Sequence, residues 1–158
     1  MKVIIVGAGS KLAQSVLNEM IRQGDLSEPN VLGITKNTLT LLKSGHMHEL
    51  SHYNSDTLPN CLDPFLHGNK SDIEPKLSML VSARTRQGET LGYLETVVRL
   101  IEYLKPKGLT SVVFISSLAG SMVTLTQGWQ YHAEKGAEQG VARWLSIEHA
   151  NQVRVNVV

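Results

Sequence analysis

The sequence predicts an α/β fold: a doubly wound parallel sheet of about six strands, covered by helices on both faces. Three observations carry that prediction. Short apolar runs alternate along the chain with segments whose apolar residues recur every three to four positions. Runs such as Val3-Ile4-Ile5-Val6 and Val112-Val113-Phe114-Ile115 are continuously apolar, as expected of strands buried on both faces. The first of them leads directly into Gly7-Ala8-Gly9-Ser10-Lys11-Leu12, after which a helical pattern opens.

In chain order, Val3 to Val6 is the first strand, and Leu12, Val16, Leu17, Met20 and Ile21 mark a helix ending at Gly24. Strand, glycine-rich turn and helix place free backbone N–H groups and a helix N-terminus where a phosphate can be held. The same turn also reads as a tight connection without a ligand, because Leu12 stands where G-x-G-x-x-G needs its last glycine. Val31 to Thr35 forms the second strand, and Leu39, Leu41 and Leu42 a short helix stopped by Gly45. His48-Glu49-Leu50-Ser51-His52 matches H-E-x-x-H, but zinc chemistry needs a sustained helix and a third ligand. A third strand with solvent-facing histidines fits the segment better, and no metal is expected. Pro59, Pro64 and Pro75 keep any helix between them short.

Leu77 to Ala83 is the fourth strand. Leu91, Leu94, Val97, Val98, Ile101 and Leu104 trace an apolar helix face that Pro106 and Gly108 terminate. Ser111 to Ile115 is the fifth strand, Trp129 to about Glu148 a long amphipathic helix, and Gln152 to Val158 a last strand. Trp129 and Trp144 read as packing residues. Ligands of such sheets bind at the carboxyl ends of strands. Gly7, Thr35, Ser82 and Ser117 all fall at such ends.

Composition narrows the class. The 158 residues suit one domain, with 42% hydrophobic and 18% charged residues. Fifteen basic against fourteen acidic side chains give a net charge of +1 without a long basic run, which argues against nucleic acid or an anionic membrane as the main partner. The single cysteine, Cys61, cannot form an internal disulfide, as suits a reducing compartment. The apolar start is too short for a signal peptide, and no segment approaches the roughly 20 apolar residues that span a bilayer. A cytoplasmic protein is expected.

The chemistry gathers late in the chain. Ser117 ends a strand, Tyr131 follows fourteen residues later, and Lys135 comes one helical turn after that. On a helix Tyr131 and Lys135 share a face, and an ammonium beside a phenol favours the phenolate. A strand-end hydroxyl can hold a substrate oxygen in the same place. Tyr-x-x-x-Lys alone is also what an incidental pair on a solvated helix face looks like; the pairing with Ser117 and the glycine turn separates the two readings.

Ser117-x-x-Gly120, Tyr131-x-x-x-Lys135 in its setting Gln130 to Ala137, the glycine turn and Arg154-Val155-Asn156-Val157-Val158 together resemble the short-chain dehydrogenase/reductase family, on a Rossmann fold. The resemblance covers nearly the whole chain. It implies an NAD(P)-dependent oxidoreductase acting on a small carbonyl or alcohol, with Tyr131 as acid/base, Ser117 bonding the substrate oxygen, and Lys135 lowering the tyrosine pKa and binding the nicotinamide ribose. Gly7, Gly9, Ser10, Lys11 and Leu12 would hold the pyrophosphate, and Ser82 and Ala83 would contact the adenosine. Thr35, Lys36 and Asn37 would receive the 2′-phosphate. With no acidic residue at the end of the second strand, NADP is expected ahead of NAD, although Lys36 also reads as a solvated surface lysine. A homo-oligomer, dimer or tetramer, is implied through the helices 91–104 and 129–148.

The chain departs from the family pattern at Lys11 and Ala13, where glycines are usual, and at Ser82-Ala83-Arg84 in place of Asn-Asn-Ala-Gly. Glu89 stands in place of the relay asparagine. It also ends before the family's Pro-Gly turn, substrate loop and last strand, so residues 1–158 are expected to be a single NAD(P)-binding domain, either a fragment or a truncated relative. Two alternatives follow: a catalytically impaired dinucleotide-binding protein with a regulatory role, and a nucleotide-sugar epimerase-like member.

Overall fold

The computed structural model describes residues 2–7, 11–23, 31–34, 38–43, 46–52, 57–67, 77–81 and 89–158. Strands β1 (Lys2–Val6), β2 (Val31–Ile34), β3 (Thr38–Lys43), β4 (His46–His52), β5 (Leu77–Val81), β6 (Leu109–Phe114) and β7 (Arg154–Val157) form one sheet. Its order is β4-β3-β2-β1-β5-β6-β7. The helices are α1 (Lys11–Arg22), α2 (Leu58–His67), α3 (Thr90–Leu104) and α4 (Trp129–Glu148).

The α/β class and three layers are as the alternating pattern predicts, but the sheet is mixed. β2, β1, β5, β6 and β7 run parallel, whereas β3 is antiparallel to β2 and β4 antiparallel to β3. The physical reason is connection length. A parallel return needs a crossover of a dozen or more residues, and only residues 35–37 separate β2 from β3. The helix expected at Leu39, Leu41 and Leu42 is therefore strand β3. The predicted third strand exists as β4, in hairpin with β3 rather than in a parallel βαβ unit. On that strand the Cα atoms of His48 and His52 are about 13 Å apart, which removes the one-turn spacing that H-E-x-x-H requires. Among the described residues no group of three His, Cys, Asp or Glu could hold a metal ion.

β1 shows why its sequence is unbroken by polar residues. Val3 and Ile5 pack with Ala13 and Leu17 of α1 and with Val31 on one face. Ile4 and Val6 join the larger core on the other face, with Leu62 of α2, Leu94, Val97, Ile101 and Leu104 of α3, and Ala142 and Leu145 of α4. Alternation along a strand makes both faces apolar at once. Leu12, expected on the buried face of α1, is 50% exposed; Ala13 takes that place. Leu91, expected on the core face of α3, is likewise exposed at the helix start. α3 stops where it should: Pro106 lies in a 3-10 turn, Lys105–Lys107, and Gly108 follows at φ 91° with its N–H bonded to Lys105 O.

α4 buries Lys135, Glu138, Ala142, Leu145 and His149, a stripe at alternating spacings of three and four. Trp144 is off that stripe and Trp129 opens the helix, so both tryptophans, expected to pack, are exposed. At its far end His149 Nε2 lies 3.1 Å from Glu102 Oε1 and Nδ1 lies 3.4 Å from Lys105 Nζ, which ties α4 to α3. No described helix is long and apolar enough to cross a membrane.

Ile101 is fully buried between α4 and the sheet. Ile101→Ala should lower the unfolding free energy by about 2–5 kcal/mol, a cavity-forming truncation. Urea titration checks this, and a change below 1 kcal/mol would contradict the packing described.

Candidate active site

The site is built at the carboxyl edge shared by β1, β5 and β6. After β1 the chain moves outward on one side to β2 and later returns on the other to β5. The strand order therefore reverses next to β1, the place where open α/β sheets form a ligand crevice. Gly7 stands there with φ 82°, a left-handed conformation that favours glycine, and its N–H donates to Ile34 O at 2.7 Å. α1 begins at Lys11, and both Lys11 and Leu12 are exposed. Gly9, Ser10, Thr35, Lys36, Asn37, Ser82 and Ala83 lie outside the described residues.

Beyond β6 the backbone stays pinned between its neighbours. Ile115 N–H donates to Val81 O at 2.8 Å, and Ser116 N–H to Val158 O at 2.7 Å. Ser117 is extended and caps a 3-10 turn, Leu118–Gly120, its Oγ accepting the Ala119 N–H at 3.2 Å. That bond uses an oxygen lone pair and leaves the hydroxyl proton free to donate elsewhere.

α4 brings the rest. Gln139 Nε2 donates to Ser117 O at 2.8 Å and to Ser116 Oγ at 3.4 Å, while its Oε1 accepts from Ser121 Oγ at 2.6 Å. One buried amide thus clamps both ends of the serine-bearing turn to the helix that carries Tyr131. Gly120 permits the contact: a Cβ there would lie 2.5 Å from Gln139 Nε2 and 2.6 Å from Lys135 O. His132 secures the approach to α4. Its Nε2 accepts the Thr124 N–H at 2.9 Å and its Nδ1 lies 2.9 Å from Gly128 O, so the hydrogen-bond network assigns the proton to Nδ1.

Tyr131 is half-buried in the first turn of α4, with the Lys135 ammonium 5.9 Å from its ring centroid. Lys135 is itself buried, and its Nζ donates to both carboxylate oxygens of Glu138, at 2.9 and 2.8 Å. Burial pushes the Glu138 carboxyl up from its ordinary 4.5 by more than the Lys135 ammonium pulls it down. Sequence reasoning missed both Glu138 and Gln139. The signal was present: lysine and glutamate at i and i+3 on the stripe continued by Ala142 and Leu145 are charges at core positions. Glu89, read as a replacement for a relay asparagine, is exposed just ahead of α3.

No protein-family model matches the sequence, and no curated protein matches it. Solved structures do match in fold. The ligand-free aldohexose dehydrogenase of Thermoplasma acidophilum superposes with a TM-score of 0.62 at 18% identity, over 99% of this chain and 64% of that one. A 4-hydroxyisoleucine dehydrogenase complexed with NADH and succinate gives 0.64 at 17% identity, over 98% of this chain and 76% of that one. A short-chain dehydrogenase/reductase family oxidoreductase from Brucella ovis, with a partially ordered NAD, gives 0.61 at 15% identity, over 99% of this chain and 81% of that one. The chain has the Rossmann-like fold of these dehydrogenases, and spans roughly two thirds to four fifths of their lengths.

Two predictions test the site's construction. Gly120→Ala forces the turn away from α4 and should destabilise by about 1–3 kcal/mol, as overpacking does; an unchanged thermal midpoint would contradict the close approach. Glu138 binds its proton more tightly folded than unfolded, so its contribution to stability is complete below pH 4.5 and is lost as pH rises through its raised folded value. Wild-type protein should therefore lose stability relative to Glu138→Gln as pH is raised from about 4 to about 7. Parallel urea midpoints across that range measure it.

Proposed function

We propose that the chain is the dinucleotide-binding and proton-transferring part of an NADP(H)-preferring oxidoreductase of the short-chain dehydrogenase/reductase type, acting on a small carbonyl or alcohol. The observation that carries this reading is the clamp between Gln139 and the Ser117 turn. It couples the serine to the helix bearing Tyr131 and Lys135, at the sheet edge where Gly7 opens the crevice.

The residues fit a nicotinamide dinucleotide. The left-handed Gly7 and the N-terminus of α1 would take the pyrophosphate, Lys36 the 2′-phosphate, and Lys135 the nicotinamide ribose. A bound nicotinamide supplies or accepts the hydride. The chain's own part is the proton and the orientation. Ser117, whose lone pair already holds the Ala119 N–H, donates its free hydroxyl proton to the substrate oxygen. Tyr131 gives its phenolic proton to that oxygen on reduction, or takes it on oxidation. The ammonium of Lys135 compensates the phenolate left behind.

A second reading, dinucleotide binding without turnover, starts from one feature: the Lys135 ammonium that would compensate a Tyr131 phenolate is paired with Glu138. A homo-oligomer is also proposed, formed through α3 and α4, the second of which leaves Trp144 and Ile147 exposed.

Tyr131→Phe separates the readings. On the oxidoreductase reading it lowers turnover of NADPH with a carbonyl panel about 10²–10⁴-fold, while NADPH affinity changes little. Binding without turnover in both proteins supports the second reading, and failure of the intact gene product to bind either NADPH or NADH defeats both.

A further inference from the structure

A lysine ammonium has three N–H donors, and in Lys135 two of them are taken by the oxygens of one carboxylate. Neither partner is open to water: the Lys135 side chain is 9% exposed and that of Glu138 6%. Around the pair, the Ser116 hydroxyl just past β6 donates to Lys135 O at 3.5 Å and accepts from Gln139 Nε2 at 3.4 Å. Glu134, one helical turn back on α4, adds a like charge that pushes the Glu138 carboxyl further up. The ammonium is thus drawn along α4 toward the core, one turn past Tyr131, and its charge is cancelled where it stands.

We propose that Glu138 is a positioning residue for Lys135: it holds the ammonium against the end of β6, and a ligand that presents vicinal hydroxyls to Lys135 must draw it off this carboxylate. The first half stands on the geometry alone; the second rests on the dinucleotide reading above. The ammonium donor is charged with either partner, but only the carboxylate returns a full opposite charge, so hydroxyls replace it at a Coulombic loss. The ion pair therefore sets a penalty on ligand affinity and places the control of Lys135 in a residue that touches no ligand.

The test uses Glu138→Gln, which keeps size and shape and removes the charge. NADPH and NADH titrated into the full chain by fluorescence should bind about tenfold more tightly to Glu138→Gln than to wild type, a gain of about 1.4 kcal/mol. Lys135→Ala should weaken binding in both backgrounds to one common value. Glu138→Asp keeps the charge but withdraws it by one methylene, should fall between wild type and Glu138→Gln, and carries the same test if the glutamine variant does not fold. A second arm needs no cofactor: reductive ¹³C-methylation of the ligand-free chain, with the Lys135 signal assigned by its loss in Lys135→Arg. Lys135 should label several-fold more slowly than the exposed lysines in wild type and approach their rate in the Glu138 variants. Equal labelling rates overturn the positioning role. Unchanged or weaker dinucleotide binding in the Glu138 variants overturns the exchange. If no form of the chain binds either dinucleotide, the dinucleotide reading and the exchange fall together, and the labelling arm decides the positioning role alone.

Discussion

Taking a lysine and a glutamate out of water costs several kcal/mol for each ion unless the two meet with good geometry. α4 carries both on the stripe it turns toward the sheet, and the way this part of the structure is put together follows from that constraint. Positions 135 and 138 lie on neighbouring turns of one face, so the helix neutralises its own charges before it packs. A layer of polar partners then lies between helix and sheet end: Gln139, Ser116, the Ser117 carbonyl and Ser121. One turn further along, the same stripe becomes Ala142 and Leu145 and belongs to the main core. α4 is thus apolar where it supports the sheet and polar where it meets the turn after β6.

Stability does not explain that division. A buried ion pair replaced by well-packed apolar residues of similar volume is often neutral or more stable, whereas removing one partner is strongly destabilising. The main core already joins the sheet to α2, α3 and α4 through Ile4, Val6, Leu32, Leu62, Ile101, Leu145 and Phe114. What the pair does provide is a fixed position for the buried Lys135 ammonium. Ser117 is fixed independently, by the strand hydrogen bonds on either side of it, by the Ala119 cap and by Gln139. Lys135, among the residues that carry the proposed chemistry, has a buried carboxylate as its partner inside the protein.

Much of this was legible in the sequence, because the signals were local. α4 was readable from Trp129 to Glu148, and α3 was closed by Pro106 and Gly108, since amphipathic spacing and helix stops do not depend on distant partners. The region after β2 was misread for the opposite reason. Thr38-Leu39-Thr40-Leu41 has the period of two of a strand, but three leucines in four positions also suit a short helix. The decisive fact, a three-residue connection that forbids a crossover, emerges only once β2 and β3 are placed. Trp129 and Trp144 were assigned to packing on size and apolarity, which is weaker evidence than position on a stripe. Leu12 and Leu91 fit their stripes by spacing but fall in the first turn of α1 and α3, where they are exposed.

The site divides along the same line. Ser117, Tyr131 and Lys135 of the proposed site stand out in the sequence because their spacing is local, fourteen residues and one turn. Their connections do not, because they depend on how closely two elements approach. Gly120 and Gln139 acquire meaning only when the 3-10 turn lies so near α4 that no side chain fits between them. Glu138 is the intermediate case. A glutamate three residues after a lysine is, on an exposed face, a weak surface pair; moved onto a stripe that ends in Ala142 and Leu145 it becomes a buried counter-ion. The pattern was present in the sequence, and its weight came from burial. Tyr131-x-x-x-Lys135 therefore marks where the proposed proton chemistry would lie, while the residue one turn beyond the lysine holds its ammonium in the structure.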